Sequence, residues 1–334
     1  MQYVNDVNIL EGVVHVLNTS NSMPILSNSR IELTGDVYRF LYKHVLKVLG
    51  SDKLKYAEFN ENENLIKDAA MQFLDNTRMD LLNVSKEFAK QMFAIMRREE
   101  SIYSCDLVTL NLSTDLGPMV AILKMDHIKK FTHYINASNE SIDINITTES
   151  GLSQNGTVNA AAFILKNGEI ELMVLDKTKK NETSNFFYKD FLDCTLVNND
   201  RDCTKALINN SENWIRENLY DDIEKAERVR STLRKELDEK EDININNLSE
   251  KLFESKLEAE NFIDYIFSET EENFKVDKVY LNKKLKKRKL KIDGDIDLNI
   301  PGDLYSDPTK FELHNNSDGT IDIILKNINN YIEK

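Results

Sequence analysis

The sequence predicts an α+β fold, in which an N-terminal mixed antiparallel sheet with helices is followed by a C-terminal helical region closing with β-hairpins. Three observations carry this. Runs of β-branched residues exchange with apolar stripes of helical period through the first 200 residues. An Asn167-Gly168 pair sits between two extended apolar runs. The chain beyond residue 200 is charged and helical, then returns to strict alternation over its last stretch. A length of 334 residues suits two domains, residues 1–200 and 201–334. With 41% hydrophobic and 30% charged residues, 4 Pro and 10 Gly, the chain has the material for a packed core.

The opening stretch from Val7 to Leu17 is rich in β-branched residues, and a second extended stretch, Ile25 to Leu33, follows Pro24. The two read as paired strands. From Asp36 the apolar residues Val37, Phe40, Leu41, Val45 and Val48 fall three or four apart until Gly50, which predicts a helix. A second helix is expected from about Asn62 through Phe73 and Leu74. A third runs through Leu81, Phe88, Met92 and Met96 and ends on Arg97 and Arg98, where cations suit the C-terminal dipole. Its Met and Phe stripe reads as core. Strands over Asp106 to Leu112 and Met119 to Lys124 are joined by the turn-forming cluster Asp115-Leu116-Gly117-Pro118. The Asn-Gly pair then predicts a type I′ hairpin between Ala160–Lys166 and Glu169–Leu175.

Beyond the polar stretch from Asn198 to Asp202 come helical segments through Ala206 to Leu219, Asp221 to Asp242, Leu248 to Leu257 and Phe262 to Phe267. The densely ionic Asp221–Asp242 stretch reads as a solvated or partner-facing helix. Near the end, Ile292, Ile296, Leu298 and Ile300 share one parity and Asp293, Asp295, Asp297 and Asn299 the other, around an Asp293-Gly294 turn. A last hairpin pairs Lys310–His314 with Thr320–Leu325 around Ser317-Asp318-Gly319.

No apolar run reaches the length of a membrane span, and the N-terminus lacks the order of a signal peptide, so a cytoplasmic protein with no membrane partner is expected. Cys105, Cys194 and Cys203 show neither a disulfide nor a metal-site spacing. Phosphate-cradling glycine loops and a nucleophile elbow are absent, and His127 and His133 are off one helical face with no evident carboxylate partner. The Asp293-x-Asp295-x-Asp297 run starts like a calcium loop but has Leu298 and Leu304 where Gly and Glu are needed. No catalytic residue, cofactor or metal site is expected.

One segment departs from this background. Lys283, Lys284, Lys286, Lys287, Arg288, Lys289 and Lys291 place seven cations and no acid in nine positions of a chain whose net charge is −14. Everything outside the segment therefore sums to −21. Such a run can neutralise phosphates without reading bases. It can equally pair with upstream acids such as Glu269, Glu271 and Glu272.

The chain resembles the bacterial nucleoid-associated protein family of the NdpA/YejK type. The likeness lies in Ile9–Leu17 with Pro24–Ser27, Val120–Asp126, Tyr188–Cys194, and the closing segment from Lys286 through Pro301 to Ile323. The resemblance implies a DNA-binding protein of the nucleoid with no established catalytic residues. The expected partner is double-stranded DNA, bound without sequence specificity. An alternative is an adaptor that docks on chromosome-associated proteins, such as a topoisomerase, through acidic helices between Glu212 and Asp242; a metal-dependent nuclease is a third. A homodimer is left open.

Overall fold

The computed structural model describes residues 4–60, 63–75, 79–99, 101–137, 142–167, 169–177, 185–267, 270–285, 287–305, 307–316, 318 and 320–330. The chain divides into two compact units, Gln2–Val197 and Asn198–Lys334. The first contains β1 (Val7–Leu17), α1 (Gly35–Leu49), β2 (Lys55–Phe59), α2 (Leu65–Leu74), α3 (Leu81–Arg98), β3 (Cys105–Thr114), β4 (Gly117–Asp126), β5 (Ile128–Ala137), β6 (Ile142–Gly151), β7 (Ala160–Asn167) and β8 (Glu169–Asp176), then a π-helical turn at Phe187–Phe191 and β9 (Cys194–Val197). Seven strands form one sheet in the order β1-β3-β4-β7-β8-β2-β9. Every pairing in it is antiparallel.

The central strands read as continuous apolar runs because both faces of the sheet are covered. On one face Val120, Ile122, Ala162, Ile164 and Leu172 pack against Val84, Phe88 and Met92 of α3 and Ile66 and Ala70 of α2. On the other, Ala121, Leu123, Ala161, Phe163 and Met173 pack with Leu41, Val45 and Val48 of α1. Successive residues alternate between two cores, so both parities are apolar apart from buried Thr109 and Lys124. Side-chain caps fix the starts of α2 and α3: Asn64 accepts from the Lys67 amide and Asp80 from the Asn83 amide, each at 2.9 Å.

The segment Ile25–Leu33 is not the paired strand its composition suggests. It meets β1 at a single bridge, Val16 with Ile25, and through the Ile31 amide on the Gly12 carbonyl at 2.7 Å. The full ladder of β1 is made with β3. Between those two points Ser27 and Ser29 bond to each other, and the Ser27 amide donates to His15 Nδ1 at 3.0 Å, so local side-chain bonds take groups a ladder needs. The β7–β8 hairpin forms with Asn167 opposite Glu169. Gly168 and hence the turn type lie outside the described residues.

The second unit contains α4 (Asp200–Asn218), α5 (Ile223–Glu239), β10 (Asp242–Asn244), α6 (Ile245–Leu252), α7 (Lys256–Ile266), β11 (Asn273–Lys275), α8 (Lys278–Leu285), β12 (Lys287–Ile292), β13 (Ile296–Pro301), α9 (Gly302–Tyr305), β14 (Phe311–Asn315) and β15 (Ile321–Leu325). Trp214, Phe253 and Phe262 form an aromatic cluster with ring centroids 4.9 to 5.6 Å apart. The ionic helix α5 is not solvated all round: Ala226, Val229, Leu233 and Leu237 bury one stripe of it in this core. Asp293 (φ 50°) and Gly294 (φ 84°) make the turn between β12 and β13, where the open left-handed backbone suits an Asp-Gly pair. In the last hairpin Asp318 accepts from the Thr320 amide, while Ser317 and Gly319 lie outside the described residues.

Candidate nucleic-acid interface

The basic segment spans two elements. Lys283 and Lys284 end α8, and Lys287, Arg288, Lys289 and Lys291 lie on β12; Lys286, between them, is outside the described residues. The start of α8 is locked into the second unit. Asp277 caps it by accepting from the Tyr280 amide at 2.9 Å, and its own amide donates to Thr204 Oγ1 at 3.0 Å. Tyr280 and Leu281 are buried, with the Arg201 guanidinium 5.9 Å from the Tyr280 ring. Lys278 donates to the Leu237 and Asp238 carbonyls at the end of α5, at 2.7 and 2.6 Å. The last turn then emerges from this anchor with Lys283 and Lys284 exposed.

Among the described residues neither Lys283 nor Lys284 has an ion-pair partner. Glu272 instead accepts from Asn246 at 2.9 Å, Glu269 lies outside the described residues, and no ion pair ties either lysine to Glu271. The antiparallel register sets Lys289 opposite Asn299 and Lys291 opposite Asp297, so the acid of the neighbouring strand faces the run at its far end only.

The fold also assembles cations that are scattered in sequence. Lys43 and Lys47 lie one turn apart on α1, Lys53 precedes β2, and Lys177 follows β8. Burial, then repulsion from Lys53 and Lys47, pushes the Lys177 pKa down. His44 is buried beside Lys47 and Lys43, its ring against Phe40 at 4.7 Å, and burial followed by these two charges lowers its pKa as well. Lys43 donates to Asn155 at 2.9 Å, and none of the four lysines has an ion-pair partner among the described residues. Asp52 and Asp176 are the carboxylates adjacent in sequence. Apart from the one-turn spacing of Lys43 and Lys47, nothing in the sequence points to this cluster.

His127 does have a carboxylate partner, Asp106, at 2.8 Å; the pairing is made across neighbouring strands and cannot be read from helical spacing. Burial pushes the Cys105 and Cys194 thiols up to about 12 and raises that of Cys203, so all three stay protonated. Among the described residues no three His, Cys, Asp or Glu side chains gather as a metal site. No helix there is long and apolar enough to cross a membrane.

A family model described as nucleoid-associated protein YejK matches residues 13–333. No curated protein matches the chain. The match covers nearly the whole sequence, and the chain belongs to that family.

Proposed function

We propose that this member of the nucleoid-associated protein YejK family binds double-stranded DNA through its phosphates, without reading base sequence and without catalysing a reaction. The observation that supports this most directly is the run Lys283, Lys284, Lys286, Lys287, Arg288, Lys289 and Lys291, seven cations in nine positions of a chain of net charge −14. Seven cations within nine positions make a local positive field that survives the acidic body, because exposed charges more than a Debye length of about 8 Å away are screened at cellular salt. Lys43, Lys47, Lys53 and Lys177 supply a second cationic surface in the other unit. The run from Lys283 to Lys291 interleaves no aromatic residue with its cations, which favours phosphate contact with duplex over stacking on single strands.

Docking on other chromosome-associated proteins through the acidic helices draws less support. Part of that acidic charge is already paired inside the unit: Glu212 and Glu227 with Arg230, and Glu236 with Lys240 and Lys251.

The test is a salt series of DNA affinity on the intact chain. Changing Lys283, Lys284, Lys287 and Lys289 to Gln should weaken binding and flatten the slope of log K against log salt by about 0.9 for each phosphate contact removed. Equal effects on unrelated duplexes are expected. Unchanged affinity and slope would take the segment out of the interface.

A further inference from the structure

We propose that the β5–β6 ribbon joins two copies of this chain through its apolar face. β5 and β6 interrupt the sequence between the neighbouring sheet strands β4 and β7 and pair only with each other among the described residues. The base is pinned: Asn159 donates to Asp126 at 3.0 Å, the His127 amide to the Ser104 carbonyl at 3.0 Å, and Lys130 bonds the Leu152 carbonyl. The strands are ten residues long each, base included.

Residues directly opposite in an antiparallel pair share a face. The register sets Phe131 opposite Thr148, His133 opposite Ile146, Ile135 opposite Ile144 and Ala137 opposite Ile142. One face thus collects Phe131, Ile135, Ile142, Ile144 and Ile146, which are 79%, 51%, 68%, 65% and 80% exposed. The opposite face takes Lys130, Asp143, Asn145 and Glu149. This is the patterning of a strand pair with a core on one side, and the chain's own described residues supply no such core. A two-stranded ribbon is at best marginally stable alone in water and needs a layer against its apolar side.

The occupant that fits is the same face of a second copy. Within the face the one side chain with a fixed charge is Lys129 at the base, so a polyanion or a charged peptide finds nothing to pair with along it. A ribbon packed face to face on its own copy about a two-fold axis matches apolar length to apolar length and gives a closed four-stranded sandwich. The five side chains expose on the order of 600 Å² together, so two copies would remove about 1,200 Å² from water, which reaches the lower end of specific interfaces.

Sedimentation equilibrium of the full chain at micromolar concentration, at low and at molar salt, tests this. A dimer that persists or tightens at high salt is expected, since apolar burial is not screened. Ile146→Asp should weaken association at least about a hundredfold. Phe131→Ser should weaken it too, while Tyr134→Ser on the opposite face should leave it unchanged. Because these side chains are exposed, the variants should keep the unfolding midpoint of the separated chain. A monomeric wild type overturns the proposal, including one that instead binds lipid vesicles or loses DNA affinity when the ribbon is changed. So does a dimer that both face variants leave intact. The salt slope of DNA affinity is a separate reading, and either can fail alone.

Discussion

His15 is fully buried on β1, and its two ring nitrogens are assigned by their partners. The Ser27 amide donates to Nδ1 at 3.0 Å, so Nε2 carries the proton and donates to Ser85 Oγ at 2.9 Å, whose hydroxyl donates on to the Leu82 carbonyl at 2.9 Å. A proton on Nδ1 would meet an N–H. Burial first, and the charge of Lys86 second, lower the pKa from 6.5 to about 4. A depressed folded pKa means that the unfolded chain binds the proton more readily between those values. The stabilisation is complete above 6.5 and is lost as pH falls toward 4. Lowering the pH from 7 to 5 should therefore cost on the order of 2 kcal/mol through this group. Urea midpoints of wild type and His15→Gln at both pH values isolate the contribution: the wild type should lose more, and identical losses would exclude His15 as the sensor. At this scale the basic run was legible because it is contiguous. The Lys43, Lys47, Lys53 and Lys177 cluster was not, since its members converge only when α1, β2 and β8 are assembled. The His15 partners depend in the same way on assembly, Ser27 on the loop 18–34 meeting β1 and Ser85 on α3 packing against it.

At the scale of elements, α5 shows how a helix of low apolar content is held. Its buried stripe is four residues wide, and the other side is fixed by Arg230. The guanidinium meets Glu212 of α4 through Nε and a terminal nitrogen, both at 2.9 Å, and Glu227 at 2.8 Å; Glu227 in turn accepts from the Tyr305 hydroxyl at 2.9 Å. These charges hold the Arg230 pKa up against burial. Arg230→Ala leaves Glu227 without its cation and Glu212 with the exposed Arg216 alone, at 3.2 Å, and should cost roughly 2 kcal/mol, below the value for a fully buried pair because water reaches the carboxylates. Arg230→Lys should restore only part of this, because an ammonium cannot span Glu212 bidentately. Thermal unfolding of the two variants decides it, and equal stability of all three chains would show that the apolar stripe alone fixes α5. The helices α1, α2 and α3 and the β7–β8 hairpin were legible from period and turn chemistry. β2 and β9 were not: Lys55–Phe59 buries Ala57 alone, and Cys194–Val197 has four residues, too short for alternation to register. The signal for β6 was present in the spacing of Ile142, Ile144 and Ile146. Alternation without a visible partner strand or core is easily passed over, and that same absence makes the ribbon an interaction surface.

At the scale of the whole molecule, each unit has core clusters of its own among the described residues. Two clusters on either side of the seven-stranded sheet fill the first, and one cluster built on Trp214, Phe253 and Phe262 fills the second. Strand order in the sheet was beyond the sequence, because β2 comes second in the chain yet lies between β8 and β9, a long-range pairing that local pattern does not encode. The α+β class was within reach, since it needs only the kinds of element and their grouping. Separate cores lead to an experiment in which fold and function are read together. Residues 1–197 and 198–334, produced as separate chains, should each unfold cooperatively, since each retains the described core clusters of its own unit. The second should retain DNA affinity, with a salt slope set by the phosphates that Lys283 to Lys291 can reach. If the first also binds, its slope should fall when Lys43, Lys47 and Lys53 are changed to Gln. The sum of the two slopes should then match that of the intact chain if both surfaces engage one duplex, because each released counterion contributes separately to the dependence on salt. A 198–334 chain that folds but does not bind would move the interface away from the basic segment altogether.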